Sequence, residues 1–299
     1  MKMRPRKQKV LLIFGVSGFI GTSFGRYLKE NIPEEELKVI GVVSLNQDAV
    51  FVGVHHLETL DVLDSTCVKL LLLKYKPDYI VNLIGLFGNA SYKELIRANV
   101  EISYNILQAI VDIGALETRL LFIGSAAEYG AVKVNPVSEK YEPAPVNMYG
   151  LSKGFQTQLV GFYHHSHQVQ AVVARTFNLT GLGVSATLSV GSFQTQIDAA
   201  KDGDTIKAGN LDSIRDFLDV EAAVAMYMTI LLHGKAGEVY NVCSGKPTRI
   251  GDLLNNMIVN SGKRLVVKVS QQKLHGNDVR EIYGDRTKFD ELLSRASEN

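Results

Sequence analysis

Short, wholly apolar runs alternate with longer segments of helical spacing along the first half of the chain. Residues 10–14, 38–43, 79–84 and 119–123 read as buried strands, and 54–60 holds a further candidate. Between them, residues 19–31, 64–75 and 92–114 carry apolar positions at three- and four-residue intervals and read as amphipathic helices. A helix ending near residue 167 and a strand at 169–174 continue the alternation. Strands that are apolar throughout, each followed by a helix, need crossover connections and a sheet covered on both faces. The pattern therefore predicts an α/β fold built on a doubly wound parallel sheet of the Rossmann type.

Beyond residue 175 the pattern is more broken. Helices are expected at 191–200, 220–233 and 250–261, with strands near 205–207, 239–242 and 265–269. No stretch reads as a linker, so residues 176–299 are expected to form a smaller substrate-binding lobe interleaved with a dinucleotide-binding domain at 1–175. Residues 133–145, which contain several prolines, read as a loop.

Composition narrows the class. The 299 residues are 46% hydrophobic, and 32 Lys and Arg against 31 Asp and Glu leave a net charge of +1. That balance speaks against a nucleic-acid partner. No run approaches the roughly 20 apolar residues of a membrane span, and the basic start is followed by too short an apolar run for a signal, so a cytoplasmic protein is expected. Cys67 and Cys243 form no CxxC motif. His164, His165 and His167 fall at the end of a predicted helix, where they complement its dipole; no carboxylate or Cys accompanies them, and no metal site is expected.

Gly15-x-x-Gly18-x-x-Gly21 stands where the first strand hands over to a helix. Glycines allow a tight turn and close backbone approach, and the helix start offers unpaired N–H groups to a pyrophosphate. Ser17, Phe19 and Ile20 belong to the same turn. The second strand ends at Ser44, with Asn46 beyond it and no acid before Asp48 to hold a ribose 2′-hydroxyl, which leans the reading to NADP with NAD open. Asp61, next to Val62 after the third strand, suits either the adenine amino group or a loop or helix cap.

Tyr149-x-x-x-Lys153 places a phenol and an ammonium on one face of a helix. A neighbouring cation lowers a tyrosine's pKa, so Tyr149 can exchange a proton with a substrate oxygen. Ser125, at the carboxyl end of the strand 119–123, can hydrogen-bond that oxygen.

In this order the three motifs resemble an extended short-chain dehydrogenase/reductase of the nucleotide-sugar epimerase/dehydratase type. Asn99, the run 136–139, Arg175-Thr176-Phe177-Asn178, Arg215-Asp216-Phe217-Leu218-Asp219 and the run 239–245 extend the resemblance from Val10 to about Leu293. The later motifs look most like the branch of GDP-mannose dehydratases and GDP-4-keto-6-deoxymannose reductases. The resemblance implies pyrophosphate binding at Gly15, Gly18 and Gly21, and adenine contact at Asp61 and Val62. It implies a catalytic trio of Ser125, Tyr149 and Lys153, with Lys153 also on the nicotinamide ribose. Asn178 and Arg215 would bind the sugar nucleotide, and His275 stands where relatives often have a phosphate-binding Arg, with Arg280 close by. A homodimer through the helices at 92–114 and 148–167 is also implied. Such chains usually continue past the place matching Leu293 with another short helical stretch, so either a trimmed lobe or a missing end is expected.

Dehydratases of this type carry acids where this chain has Ala126 and Ala127, while Glu128 stands one residue later. Without them, 4,6-dehydration is disfavoured. The loop 82–88, where relatives show a polar residue, is apolar. The function expected is NAD(P)-dependent reduction of a 4-keto-6-deoxy sugar nucleotide. The alternatives are a 4-epimerase that keeps its NAD bound and a non-catalytic dinucleotide-binding sensor or scaffold.

Overall fold

The computed structural model describes residues 8–44, 51–88, 90–270 and 279–298. Seven parallel strands form the main sheet: β1 (Lys9–Phe14), β2 (Leu37–Val43), β3 (His56–Thr59), β4 (Tyr79–Asn82), β5 (Arg119–Ser125), β6 (Gln170–Thr176) and β10 (Val239–Val242). Their order is β10-β6-β5-β4-β1-β2-β3, so the winding reverses between β1 and β4. Alternate residues of one strand feed opposite faces. Leu11 and Ile13 pack with Phe24 and Leu28 of α1 (Phe19–Asn31) and with α7 (Val220–His233), while Leu12 and Phe14 pack on the other face. There they meet Val68 and Leu72 of α2 (Ser65–Tyr75), Ile106 of α4 (Ile102–Asp112) and Val160 of α5 (Met148–His167).

Several starts follow local chemistry. Asp64 caps α2 by accepting the Thr66 N–H at 2.8 Å, Asn147 caps α5 through Gly150 at 2.8 Å, and Asp219 caps α7 through Glu221 at 2.9 Å. The single helix expected at 92–114 is instead α3 (Tyr92–Ile96), a π-turn (Arg97–Glu101) and α4. The π-turn carries Asn99, whose buried amide accepts from the Leu86 N–H at 2.9 Å and donates to the Leu86 carbonyl and the Ser152 hydroxyl.

After β6 the chain builds elements that alternation did not foretell. β9 (Ile214–Asp219) pairs with β7 (Asn178–Thr180), β11 (Pro247–Arg249) and β13 (Glu281–Ile282). A second layer joins α6 (Ser189–Ala199) and α8 (Ile250–Ser261) to β8 (Thr205–Ala208) and β12 (Val266–Val269) through Phe193, Ile197, Ile206 and Leu254. The chain then returns to the main sheet, where Phe289 and Leu292 of α9 (Thr287–Ser297) join the core of β10 and α7.

Asp216 of β9 ties these parts together. Its fully buried carboxylate accepts from the Ser244 N–H and hydroxyl, both at 2.7 Å, from Gly245 N–H at 2.9 Å and from Gly284 N–H at 3.2 Å. Removing it strands three backbone donors. Asp216→Ala is expected to cost about 3 kcal/mol and to lower the melting temperature by roughly 5 °C or more, read by thermal and urea unfolding.

Candidate active site

Parallel sheets carry their sites outside the carboxyl ends of the strands, at the point where the winding reverses. Gly15 lies there, with a positive φ of 83°, and a Cβ on it would come within 3.0 Å of the Ile84 side chain after β4. Gly21 permits a closer approach still: a Cβ would lie 2.5 Å from the carbonyl oxygens of both Gly15 and Val16. α1 starts at Gly18, which supplies no side-chain cap, and its first turn has no acid. Its leading N–H groups therefore face the turn without a protein acceptor from the capping residue, an arrangement suited to an anion.

A cavity of about 740 Å³ opens beside this turn, between the ends of β5 and β6 and the C-terminal lobe. Phe19 and Ile20 of α1, Ser125, Tyr149, Asn178 and Arg215 all line it. Asn178 also donates to the Asp216 carbonyl at 3.0 Å, and Arg215 donates to the Ile214 carbonyl at 2.9 Å. Thus five elements of the sheet and lobe bring these predicted residues to one space.

Ser125 ends β5 and caps a short 3₁₀ turn (Ala126–Glu128), its Oγ accepting the Ala127 N–H at 3.2 Å. A Cβ on Gly150 would lie 2.3 Å from the Ala127 carbonyl oxygen, so glycine lets the start of α5 press on this turn and sets Tyr149 beside Ser125. Burial pushes the Tyr149 phenol above its ordinary value, while a hydrogen bond from Ser125 pulls the other way and the Glu128 charge adds to the rise. The lowering expected from a neighbouring cation is thus outweighed by desolvation in the protein alone, and the phenol is held in its neutral, proton-donating form.

Lys153, one turn further along α5, is buried, and among the described residues no hydrogen-bond acceptor meets its ammonium. A Cβ on Gly85 would lie 3.6 Å from its Nζ and 3.1 Å from the Asn99 Oδ1, which locates it under the β4 loop. Desolvation lowers its pKa to about 8, against the Glu128 charge, which raises it. A buried cation without a partner costs free energy that a ligand's hydroxyls can recover.

The remaining predicted residues lie around the turn. Ser44 is exposed at the end of β2, Ser17 is half-buried, and Val62 is buried. Asp61 is exposed, and its Oδ1 accepts the Leu63 N–H at 2.9 Å; Asp64, not Asp61, is the helix cap. The loop holding both is fixed by Asn105, which donates to the Val62 and Leu63 carbonyls. Asn46, Asp48 and His275 lie outside the described residues. Arg280 is exposed, its carbonyl accepting from Ile214 in the lobe sheet. His164 faces the Val169 carbonyl at 3.0 Å, and His167 packs on the Tyr163 ring. Among the described residues, no helix is long and apolar enough to cross a membrane.

Sequence reasoning passed over two groups here. Glu128 reaches under Ser125 to Arg175, and Tyr227 of α7 hydrogen-bonds the Thr176 hydroxyl at 2.8 Å behind the cavity wall. Both contacts span long sequence separations that no local motif announces.

Residues 11–243 match the model of the NAD dependent epimerase/dehydratase family. The chain belongs to that family. It is an enzyme, and a nicotinamide dinucleotide is its cofactor. The non-catalytic reading falls with this. The chain is 27% identical over 285 residues to GDP-6-deoxy-D-talose 4-dehydrogenase of Aggregatibacter actinomycetemcomitans, covering 95% of this chain and 90% of that one. It is 33% identical over 187 residues to GDP-6-deoxy-D-mannose reductase of Pseudomonas aeruginosa, covering 60% and 61%. The structure of RMD from Pseudomonas aeruginosa complexed with NADPH shares the fold, with a TM-score of 0.81, 24% identity and coverage of 96% and 92%.

The glycine cradle and the unpartnered ammonium fit such a dinucleotide. Affinity for NADPH, read by its fluorescence, is expected to fall as pH rises through about 8, where the free enzyme's Lys153 loses its charge. Lys153→Met is expected to bind about tenfold more weakly and to lose this pH dependence.

Proposed function

We propose that this enzyme is an NAD(P)-dependent nucleotide-sugar oxidoreductase that reduces a 4-keto-6-deoxy sugar nucleotide at C4. The observation that carries the reading is the Ser125–Tyr149 hydrogen-bonded pair on the cavity wall, with the buried Lys153 one helical turn away. A neutral phenol is what an alkoxide needs as proton donor, and burial keeps Tyr149 neutral. Ser125 donates to the same oxygen and polarises the carbonyl before transfer. Lys153 holds the nicotinamide ribose by its ammonium and keeps positive charge near Tyr149. When bound, the reduced nicotinamide supplies the hydride that C4 receives.

Gly15, Ser17, Gly18, Phe19, Ile20 and Gly21 would hold the pyrophosphate side of the cofactor, and Asp61 and Val62 the adenine. Ser44 offers a hydroxyl rather than a carboxylate at the ribose, which supports NADP with NAD as the alternative. Asn178 and Arg215, across the cavity from Tyr149, would hold the nucleotide diphosphate, with His275 as a further candidate. This divides the chain into a cofactor half and a substrate lobe near residue 175, with β10 returned to the cofactor sheet.

The side chains around Ser125 support reduction over dehydration. Ala126 and Ala127 offer no carboxyl, and both Glu128 oxygens are already engaged. The printed activities of the two relatives, a 4-dehydrogenase and a reductase, lie on the same side. A homodimer is part of the proposal: Tyr104 of α4 and Phe162 of α5 are 45% and 56% exposed around Tyr163, a surface suited to a second copy.

Purified enzyme given GDP- or dTDP-linked 4-keto-6-deoxyhexoses is expected to oxidise one NADPH or NADH per sugar reduced. An isomerised sugar with no net change in nicotinamide absorbance would select the epimerase instead. Tyr149→Phe is expected to lower kcat by about 100-fold or more with nucleotide-sugar affinity retained. Phe162→Glu is expected to convert a dimer to a monomer in light scattering; a wild type already monomeric would overturn the oligomer proposal.

A further inference from the structure

We propose that Glu128, clamped by Arg175, is a positioning residue that holds Ser125 against Tyr149 and Lys153. The inference rests on the proposed roles of that trio.

Glu128 is completely buried, and Arg175 of β6 is 2% exposed. One carboxylate oxygen accepts the backbone N–H of Ser125 at 2.7 Å. The other accepts from Arg175 Nε at 3.0 Å, Arg175 Nη2 at 2.8 Å and the Thr157 hydroxyl at 2.8 Å. Thr157 lies one helical turn beyond Lys153 and two beyond Tyr149, on the same face of α5. A single carboxylate therefore joins the end of β5, which carries Ser125, to the helix that carries the other two groups, and anchors both to β6. Gly124 makes room for it, because a Cβ there would lie 2.7 Å from the Glu128 Oε1. The Arg175 guanidinium is in turn seated 4.5 Å over the Tyr129 ring, whose hydroxyl donates to Asn241 at 2.8 Å.

A buried ion pair is a poor source of stability compared with apolar packing, so its value lies in geometry and field. With every strong acceptor position used, Glu128 itself has no proton to exchange with a substrate. Its charge is nevertheless felt above it: it raises both Lys153 and Tyr149. Arg175 opposes that field. The other titratable groups near the trio are Tyr129 under Arg175 and Tyr227 of α7, both held neutral by burial.

The two partners thus have opposite electrostatic effects on Lys153 and one shared mechanical role. Glu128→Gln and Arg175→Met test this against the pH dependence of NADPH binding. Relative to the wild-type midpoint near 8, Glu128→Gln is expected to move it down by about one unit and Arg175→Met to move it up. Thr157→Val, which leaves the ion pair intact, is expected to keep the wild-type midpoint and lower kcat about three- to tenfold. Circular dichroism confirms that each variant is folded. Midpoints that coincide in all four proteins, or that move the same way in Glu128→Gln and Arg175→Met, overturn the inference. So does an unchanged kcat in Thr157→Val. A wild type with no midpoint near 8 instead counts against the proposed role of Lys153, so the two failures are distinct.

Discussion

A parallel sheet buried on both faces can present its chemistry only at the edge where its strands end, and every functional group described above follows from that constraint. The crossover helices cover Leu11 and Ile13 on one side and Leu12 and Phe14 on the other, leaving the carboxyl ends of β1, β4, β5 and β6 to face outward together. Glycines at 15 and 21 let the first of these turns fold tightly against β4. Ser125 ends one strand, Thr176 ends the next, and α5 is pressed against the turn between them by the Gly150 contact with Ala127. The broken second half of the chain then closes over this edge and is fixed to it by Asp216.

Within that setting, burial and charge divide the work. Desolvation acts on Tyr149 and Lys153 in opposite directions on the pKa scale but to one end, since it favours the neutral form of each. For the phenol, neutrality is the state that donates a proton to a developing alkoxide. For the lysine it is a cost, offset in part by Glu128 and recoverable by the hydroxyls of a bound ribose. The same depth that makes the pair useful makes the site incomplete without its cofactor.

The sheet was legible because buried parallel strands leave unbroken apolar runs, and the trio because its members sit at local spacings on a strand end and a helix face. The lobe was less so. β7, β11 and β13 have two or three residues each, too few for a period to show, and β9 owes its place to pairings with segments up to 68 residues away. The π-turn at Arg97–Glu101 keeps helical spacing almost intact, so its interruption was invisible in the sequence. Glu128 was noticed only as an acid displaced by one residue; its partner lies 47 residues on, and only the register of β5 with β6 brings them together. Asp61 and Asp64 were separable only by geometry, which gives the helix cap to the latter.

Reduction at C4 is the central claim, and isotope transfer tests it most directly. NADPH or NADH carrying deuterium at the transferable position of the nicotinamide, incubated with enzyme and a 4-keto-6-deoxy sugar nucleotide, is predicted to yield a product with one deuterium on the sugar C4, located by nuclear magnetic resonance and mass spectrometry. A product without deuterium at C4, formed by the intact enzyme, would contradict the account.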